Sequence, residues 1–340
     1  MGQGAVRFDF DTVVLVADLI DEVGDRPVHE RRDLERTDAK TLAAIATAIG
    51  ELGLKLRHYL EPADLARNAD LHRGDVVWAI YGGEVSRNRM ALVPAICESF
   101  GLRYVGPDTY GRVVAQDKEI SKRIAVDHGL WTPRWRLLRS AADAPYVRGL
   151  ALPVVVKPAL EGSSIGLSRR NLVDNWDEAT ALAVELNRSL DQAILIEEFA
   201  PGREVAFSCI EPADRGLWAF SETAMAGDPS YFETRLYDAD EKFNRKPERG
   251  IRLIDELLSP ADHTAIKRFL AAFGRYGYCR VDGRLVDGRF CFLELTPDAW
   301  IAPAGQFANS LAQKGFDYAE VIARVLASAP AVPPGRPASG

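Results

Sequence analysis

A lysine followed by a glycine- and serine-rich segment is the first feature of this sequence that could do chemistry. Lys157 stands at the end of an apolar, β-branched run, and the loop Gly162-Ser163-Ser164-Ile165-Gly166 follows it. Backbone N–H groups and hydroxyls in such a loop can surround phosphate oxygens, and a nearby lysine supplies the opposite charge. The lysine precedes the glycines, which is not the order of a P-loop. Taken alone, the segment is equally consistent with a strand, a turn and a surface loop.

Three carboxylates follow in the next apolar stretch. Glu197 and Glu198 end the run 193–199, and Glu204 comes just after Gly202. A purine amino group needs hydrogen-bond acceptors and a ribose needs a carboxylate for its hydroxyls, so this stretch could bind a nucleoside. Solvated charges at a strand end are the simpler interpretation of the stretch by itself.

An Asp-Gly turn at 287–288 predicts a hairpin between the alternating strands 278–286 and 289–295. Alternation places Arg280 and Asp282 on one face, and antiparallel pairing brings Glu294 near them. Two neighbouring carboxylates repel each other unless a divalent cation holds them, and Mg²⁺ bridging phosphate oxygens fits this pattern. An ion pair between Arg280 and a carboxylate on a solvated face is the alternative.

The segment 226–250 is rich in charged residues, glycine and proline and has weak periodicity. Such a long loop in a compact domain is typical of an active-site lid. Lys242 within it would reach a terminal phosphate when the lid closes and water is excluded. A surface charge is the ordinary interpretation of a lone lysine in an acidic loop.

Strands and helices alternate in the first part of the chain. Apolar runs at 12–17, 75–81 and 103–105 predict strands, and helical periodicity at 41–54 and 91–100 predicts helices between them. This alternation indicates an open α/β unit of about 110 residues.

The rest of the chain predicts a β-rich region with helices around it. Helices are expected at 110–128, 175–190, 260–276 and 318–327, and further strands at 203–210 and 217–222. The Pro- and Gly-rich segment 329–340 predicts a disordered tail.

Composition excludes several classes of protein. The 340 residues carry 42 Lys and Arg against 49 Asp and Glu, a net charge of −7, which argues against a broad nucleic-acid surface. No apolar run approaches a transmembrane helix, and residues 1–6 carry neither a signal core nor a myristoylation pattern. The four cysteines contain no CxxC pair, so we expect core thiols in a reduced, cytoplasmic protein and no zinc site.

Taken in order, the motifs resemble those of the ATP-grasp superfamily, and specifically the D-alanine–D-alanine ligase family. The motifs that carry this resemblance are Gln116-Asp117-Lys118, Val156-Lys157-Pro158 with Glu161-Gly162-Ser163-Ser164-Ile165-Gly166, Glu197-Glu198-Phe199, Gly202-Arg203-Glu204, Tyr237-Asp238 with Lys242, Arg280-Val281-Asp282 and Glu294. The resemblance implies an α/β (α+β) ATP-grasp fold: a Rossmann-like parallel domain at 1–112, ATP-grasp subdomains at 113–200 and 201–328, and the tail.

The resemblance also implies a role for each matching residue in binding ATP with Mg²⁺ or Mn²⁺. Lys118 and Lys157 would hold the α- and β-phosphates, Glu161, Gly162, Ser163 and Ser164 would cover them, and Lys242 would reach the γ-phosphate. Glu197 and the backbone of Glu198, Phe199 and Ala200 would meet the adenine amino group, Phe199 and Leu293 would pack on the ring, and Glu204 would bind the ribose. Asp282 and Glu294 would hold the metal, and Arg280 would face an acyl phosphate. The implied reaction phosphorylates a carboxylate, which an amine then attacks, giving an amide, ADP and phosphate.

Several positions depart from the family pattern on the amino-acid side. Thr296 replaces a metal-binding asparagine, with Asp298 as another candidate for that role, and Trp300 replaces a glycine of the acceptor pocket. Phe243 replaces a lid tyrosine whose hydroxyl meets the serine matching Ser163, and phenylalanine cannot make that bond. Glu30 followed by arginine is the candidate for the first substrate's amine, across an insertion in the alignment.

The sequence therefore predicts an ATP-dependent carboxylate–amine ligase whose small-molecule substrates are not two D-alanines, acting in natural-product or small-metabolite biosynthesis. A true D-alanine–D-alanine ligase and an ATP-binding protein without ligase activity are the alternatives. Ring closure within one substrate stays open, and the resemblance implies a homodimer as the default assembly.

Overall fold

The computed structural model describes residues 6–20, 28, 31–83, 87–211, 216–228, 230–242 and 249–330. Three sheets organise this part of the chain: a four-stranded parallel sheet within residues 12–104, a four-stranded antiparallel sheet within residues 135–198 and a five-stranded antiparallel sheet within residues 203–297. This arrangement confirms the α/β fold class with a parallel N-terminal sheet. The tail from residue 331 and Glu30 lie outside the described residues.

The N-terminal sheet is built as strand–helix alternation requires. Its elements are β1 (Thr12–Val16), α1 (Ala39–Glu51), β2 (Lys55–Tyr59), α2 (Pro62–Asn68), β3 (Val76–Ala79), α3 (Leu92–Phe100) and β4 (Arg103–Tyr104). The Asp38 carboxylate caps α1 by accepting the Thr41 N–H at 2.9 Å, and Gly101 ends α3 in the left-handed region at φ 67°. The sequence patterns missed both β2 and α2. For β2 the reason is that it is an edge strand whose residues are all partly or fully exposed.

The part of the chain that carries the second sheet begins with two helices, where the sequence pattern predicts one. Its elements are α4 (Thr109–Gln116), α5 (Lys118–Asp127), β5 (Trp135–Leu138), β6 (Val154–Pro158), β7 (Leu172–Val173), α6 (Trp176–Leu190) and β8 (Ile194–Glu198). The predicted helix 110–128 is wrong at Asp117, which is extended and accepts the N–H groups of Glu119 and Ile120 as the N-cap of α5. This break places Lys118 at the first position of α5.

The third sheet carries the predicted hairpin. The elements are β9 (Arg203–Ile210), β10 (Trp218–Met225), β11 (Arg249–Leu253), α7 (Pro260–Ala271), β12 (Tyr278–Val286), β13 (Arg289–Pro297), α8 (Gln306–Ala312) and α9 (Tyr318–Ala327). Asp287 and Gly288 both have positive φ, 50° and 76°, as a two-residue hairpin turn requires. The helix expected at 260–276 ends at Ala271, and β11 occupies the end of the stretch expected to be loop.

The two faces of the third sheet have different surroundings. One face packs against α5 and α7 through a core that includes Phe207, Phe220, Phe269 and Phe292. The opposite face packs at one end against α8 and α9, and carries polar side chains at the other. All four cysteines are free and buried, as expected for core residues.

Candidate active site

The polar end of the third sheet gathers the side chains predicted to bind metal and phosphate. Directly paired residues of antiparallel strands share a face. Asp282 is paired with Glu294 on β13, and Arg280 is paired with Thr296. Because the hairpin has this register, four candidate residues from two strands project from one patch of the sheet.

Asp282 is held by two neighbours on this patch. Its carboxylate accepts hydrogen bonds from Arg280 Nε at 2.5 Å and Nη2 at 3.0 Å, and Thr296 Oγ1 donates to Asp282 Oδ2 at 2.7 Å. The Arg280–carboxylate pair proposed as an alternative is therefore present. Arg280 keeps its charge, because Asp282 outweighs the effect of burial and raises the pKa of the guanidinium.

Glu294 faces two lysines. Lys118 Nζ lies 3.1 Å from Glu294 Oε2. Burial alone would raise the pKa of Glu294, but Lys118 and Lys157 outweigh it and hold the pKa at about 2. Glu294 is therefore an anion across the physiological pH range.

Oxygen donors of this kind suit a magnesium ion. Asp282, Glu294 and the Thr296 hydroxyl lie on one face, and Mg²⁺ is commonly bound by one or two carboxylates together with substrate phosphates and water. Within the described ranges no group of three or more His, Cys, Asp or Glu forms a complete protein cage. The residues present thus fit a metal that arrives with a phosphate ligand.

Asp298, the other candidate for the missing asparagine, is engaged elsewhere. Arg112 of α4 donates to Asp298 Oδ1 at 3.0 Å and forms an ion pair with Oδ2, and the Arg112 side chain is buried. Burial raises the pKa of Asp298 to about 6 despite this arginine. Thr296, not Asp298, contacts Asp282.

The predicted phosphate loop, residues 161–166, follows β6. Ser163, Ser164 and Gly166 have φ of 47°, 61° and 72°, so three of the four residues 163–166 adopt the left-handed region. Backbone of this kind can form a concave nest of N–H groups suited to an anion. Lys118 donates to the carbonyl of Glu161, which places this lysine beside the loop.

The loop contacts the predicted lid through Tyr237 and Ala239; Phe243, which stands in place of the family's tyrosine, lies outside the described residues. Ser164 Oγ donates to the Tyr237 carbonyl at 2.9 Å. Ile165 packs with Ala239 of the lid and Leu34 of the N-terminal domain in one small apolar cluster. The loop is therefore connected to the lid through its second serine.

Lys242 points from the lid toward the charged patch. Its ammonium lies 4.8 Å from the centre of the Tyr237 ring. Burial lowers the pKa of Lys242, while the surrounding carboxylates, with Glu294 the strongest, oppose that effect. The structure thus brings Lys242 within electrostatic reach of the candidate metal ligands Glu294 and Asp282.

The predicted adenine and ribose residues adjoin the charged patch. Phe199, Ala200 and Leu293 are half-buried, and Glu198 accepts the Ala151 N–H at 2.9 Å. Glu204 forms an ion pair with Arg284, whose Nε lies 2.7 Å away. Burial raises the pKa of Glu204 and Arg284 opposes the rise.

Sequence reasoning missed Arg284, which is buried beside the predicted adenine and ribose residues. It donates to the carbonyls of Gly202 at 2.9 Å and Phe232 at 2.5 Å, and it lies 5.7 Å from the Phe199 ring centre. Its position two residues beyond Asp282 on a strand was the available signal, because alternation puts both on one face.

Sequence reasoning also missed Lys122. Its ammonium lies 2.8 Å from Glu197 Oε2, while Lys157 Nζ lies 2.5 Å from Glu197 Oε1. Burial would raise the pKa of Glu197, but the two lysines outweigh it and lower the pKa, so the buried carboxylate is charged.

The N-terminal domain contributes Glu35 to the cleft. Its carboxylate accepts the Gly162 N–H, and Arg89 bridges it to Glu161, 3.0 Å from the Arg89 guanidinium. A Cβ at Gly162 would collide with Glu35. Glu35 is followed by an arginine, like Glu30, so the same two-residue signal occurs twice in the sequence and the second occurrence lies in the site.

Trp300 lies at the exposed margin of this region. Its side chain is 47% exposed, and it packs so closely on Gly305, before α8, that a Cβ there would come within 3.1 Å of the indole. A large aromatic surface is thus presented beside the start of α8.

Comparisons with known proteins agree on one family. Residues 128–327 match the family model described as "D-ala D-ala ligase C-terminus". The chain is 31% identical to a D-alanine–D-alanine ligase of Corynebacterium aurimucosum over 263 residues, which are 75% of this chain and 71% of that protein. It is 25% identical to a D-alanine–D-alanine ligase of Aquifex aeolicus over 292 residues, covering 84% and 94% of the two chains.

Solved structures give the same fold over nearly the whole chain. The structure of D-alanine–D-alanine ligase from Bacillus anthracis complexed with ATP superposes with a TM-score of 0.66 at 19% identity, covering 94% of this chain and 97% of that one. A D-Ala:D-Ser ligase from Enterococcus faecalis superposes with a TM-score of 0.67 at 16% identity, covering 94% and 99%. No helix among the described residues is long and apolar enough to cross a membrane.

Proposed function

Because this chain belongs to the D-alanine–D-alanine ligase family of ATP-grasp ligases, which form amide bonds, we propose that it couples a carboxylate and an amine other than two D-alanines, using ATP and Mg²⁺. The convergence of Lys118, Lys157, Lys242 and Arg280 around the paired Asp282 and Glu294 carries the proposal. Cations at this density suit a polyphosphate, and the two carboxylates suit the metal that accompanies it.

ATP is the nucleotide best supported. A relative of the same fold was crystallised with ATP, and the half-buried Phe199 and Leu293 offer an apolar wall for a base. Asp282, Glu294 and Thr296 would hold Mg²⁺, which when bound would neutralise charge on the phosphates. Lys118 and Lys157 would take the inner phosphates and Lys242 the terminal one.

The chemistry assigned to these residues is positioning and charge neutralisation. A substrate carboxylate oxygen attacks the γ-phosphorus, the bond between that phosphorus and the β–γ bridging oxygen breaks, and ADP leaves. Arg280 and Lys242 stabilise the charge that develops on the transferred group. The amine of the second substrate then attacks the acyl carbon, phosphate departs, and the nitrogen loses a proton to give the amide.

Altered amino-acid binding is supported by the substrate end of the cleft. Trp300 presents an indole where the family pattern has a glycine. Glu35 and Glu161 both pair with Arg89, and Glu35 accepts the Gly162 N–H, so a carboxylate of the N-terminal sheet region lies beside the predicted phosphate loop, where it could meet a donor ammonium group. Glu35 therefore joins Glu30 as a candidate for that group, and natural-product or small-metabolite biosynthesis is the setting we propose.

The test is ADP release by the purified protein over a matrix of amino-acid donors and amine acceptors, with the Asp282→Asn variant as the inactive control. Substrate pairs other than D-alanine with D-alanine should give the strongest release, and mass spectrometry should find their amide. Strong D-alanine-dependent release with dipeptide formation would overturn the altered-substrate proposal and favour a true D-alanine–D-alanine ligase.

A nucleotide-binding protein without ligase activity is the second candidate, because Thr296 stands where the family places a metal-binding asparagine. Calorimetric titration with ATP and Mg²⁺ separates the two. Binding without ADP formation under every substrate pair would favour this candidate.

A further inference from the structure

Lys122 is completely buried on α5, behind the residues expected to meet the nucleotide. Its ammonium donates to Thr132 Oγ1 at 2.5 Å, and Thr132 Oγ1 in turn donates to the Phe292 carbonyl at 2.8 Å. The same ammonium lies 5.7 Å from the centre of the Trp135 ring. These contacts fix the charge inside the protein, where it cannot touch a ligand.

The partner of Lys122 is a carboxylate that two lysines contact. Glu197 Oε2 lies 2.8 Å from Lys122 and Oε1 lies 2.5 Å from Lys157, and Glu197 is 2% exposed. Lys157 is the group expected to bind phosphate. If Glu197 had no other cation, it would hold Lys157 as a neutral pair and compete with the phosphates for it.

We propose that Lys122 is a positioning residue for nucleotide binding: it neutralises Glu197 from the interior, so that Lys157 can exchange Glu197 for a nucleotide phosphate. Burial lowers the pKa of Lys122, and the Glu197 carboxylate in contact with it opposes that effect and favours the ammonium form. Two ammonium groups and one carboxylate leave one net positive charge, and because Lys122 is fully enclosed only Lys157 can present it to a ligand. The inference rests on the proposed function insofar as Lys157 binds a nucleotide phosphate.

The charge count predicts what each substitution does. Lys122→Met keeps most of the length of the side chain and removes the charge, so Glu197 should retain Lys157. Binding of ADP with Mg²⁺ should weaken by about tenfold, the effect of losing one charge-assisted hydrogen bond. Adenosine, which has no phosphates, should bind within about threefold of its wild-type affinity. Lys122→Arg, which keeps the charge, should recover most of the ADP affinity.

The decisive comparison uses Glu197→Gln with and without Lys122→Met. Without a charge at position 197 there is nothing to neutralise, so the double variant should bind ADP within about threefold of Glu197→Gln alone. This comparison also serves if Lys122→Met does not fold, because the double variant leaves no unpaired buried carboxylate. Lys55→Met, on the exposed edge strand β2, is the control for loss of one lysine.

Isothermal titration calorimetry gives the affinities of wild type and variants. Equal ADP affinity of wild type and Lys122→Met would overturn the inference, as would a tenfold loss that the Glu197→Gln background does not remove. Equal losses for ADP and adenosine would also overturn it, since they would indicate a general structural effect. If wild-type protein binds neither ADP nor ATP, the proposed function itself fails, and that result is distinct from the others.

Discussion

Thr296 offers the sharpest test of the candidate metal site. It stands where the family pattern has a metal-binding asparagine, on the sheet face that carries Asp282 and Glu294. Thr296 Oγ1 donates to Asp282 Oδ2 at 2.7 Å, so the threonine holds a presumed metal ligand and could itself supply a third oxygen. Valine has the same shape without the hydroxyl. Thr296→Val should therefore leave the fold unchanged and remove one of the two hydrogen bonds that Asp282 Oδ2 accepts, the other being from Arg280.

The magnitude follows from the role of the hydroxyl that valine lacks. Removing a partner that orients a metal ligand typically costs ten- to hundredfold in metal affinity. We expect the Mg²⁺ concentration for half-maximal ADP binding to rise by about tenfold or more in Thr296→Val, equivalent to about 1.4 kcal/mol. Thr296→Asn, which supplies an amide oxygen, should need no more Mg²⁺ than the wild type.

Calorimetric titration of ADP at a series of Mg²⁺ concentrations measures this without knowledge of the substrates. Asp298→Asn is the matched comparison, because both Asp298 oxygens are held by Arg112 and the substitution should not change the Mg²⁺ requirement. An unchanged requirement in Thr296→Val, together with a raised one in Asp298→Asn, would refute the reasoning and make Asp298 the metal ligand.

Three further predictions concern the loop, the lid and the Asp298 pair. Gly162→Ala should push Glu35 from its place, disturb the loop and weaken ADP binding by about tenfold, and Glu35→Ala in the same chain should recover part of that affinity in calorimetric titration, which needs no donor substrate. Ser164→Ala should raise the KM for ATP by about fivefold, because it removes a hydrogen bond to the lid worth roughly 1 kcal/mol. Ser163→Ala should raise the KM less. Equal effects of the two substitutions would contradict the lid contact of Ser164. Burial raises the pKa of Asp298 from 3.8 to about 6 in the folded state. The folded protein therefore binds this proton more tightly than the unfolded chain, and the resulting stabilisation is fully present below pH 4. The free energy of unfolding should fall by about 3 kcal/mol as the pH rises to 6 and beyond. Asp298→Asn should remove this component in urea denaturation followed across that pH range.

Elements with a strong local pattern were predictable from the sequence. The β12–β13 hairpin follows from apolar strands on both sides of Asp287-Gly288, and α9 begins at Tyr318 and ends at Ala327 as its periodicity indicates. The exact register was not predictable, because a shift between Asp282 and Gly283 skips Leu293 and puts Glu294 opposite Asp282. Edge strands β2 and β11 were missed, because one side of each lacks a neighbouring strand and their exposed residues carry no apolar run. Pairing in the fold, not local propensity, makes these segments extended.

Residues that act through other residues were the hardest to predict. In the sequence Lys122 looks like an ordinary surface lysine of a helix. Only the tertiary fold brings it into contact with Glu197, which is 75 positions later in the chain. Glu30 and Glu35 are each followed by an arginine, so this motif alone could not show which of the two lies in the site. Sequence spacing therefore identifies the groups expected to touch the ligand, whereas the charges that balance them depend on tertiary contacts between distant segments.

Four cationic side chains of the site each pair with a different carboxylate. These pairs are Lys118–Glu294, Lys157–Glu197, Arg280–Asp282 and Arg284–Glu204. An ion-pair interpretation and a ligand-binding interpretation of the same residues are thus not exclusive, because buried charges of one sign would repel each other without partners. Asp282 and Glu294 would hold the metal ion, which would leave Lys118 and Arg280 available for phosphate, whose negative charge would balance theirs. Nucleotide and metal should therefore bind more tightly together than separately, and titrations in which ADP affinity does not depend on Mg²⁺ would exclude this exchange.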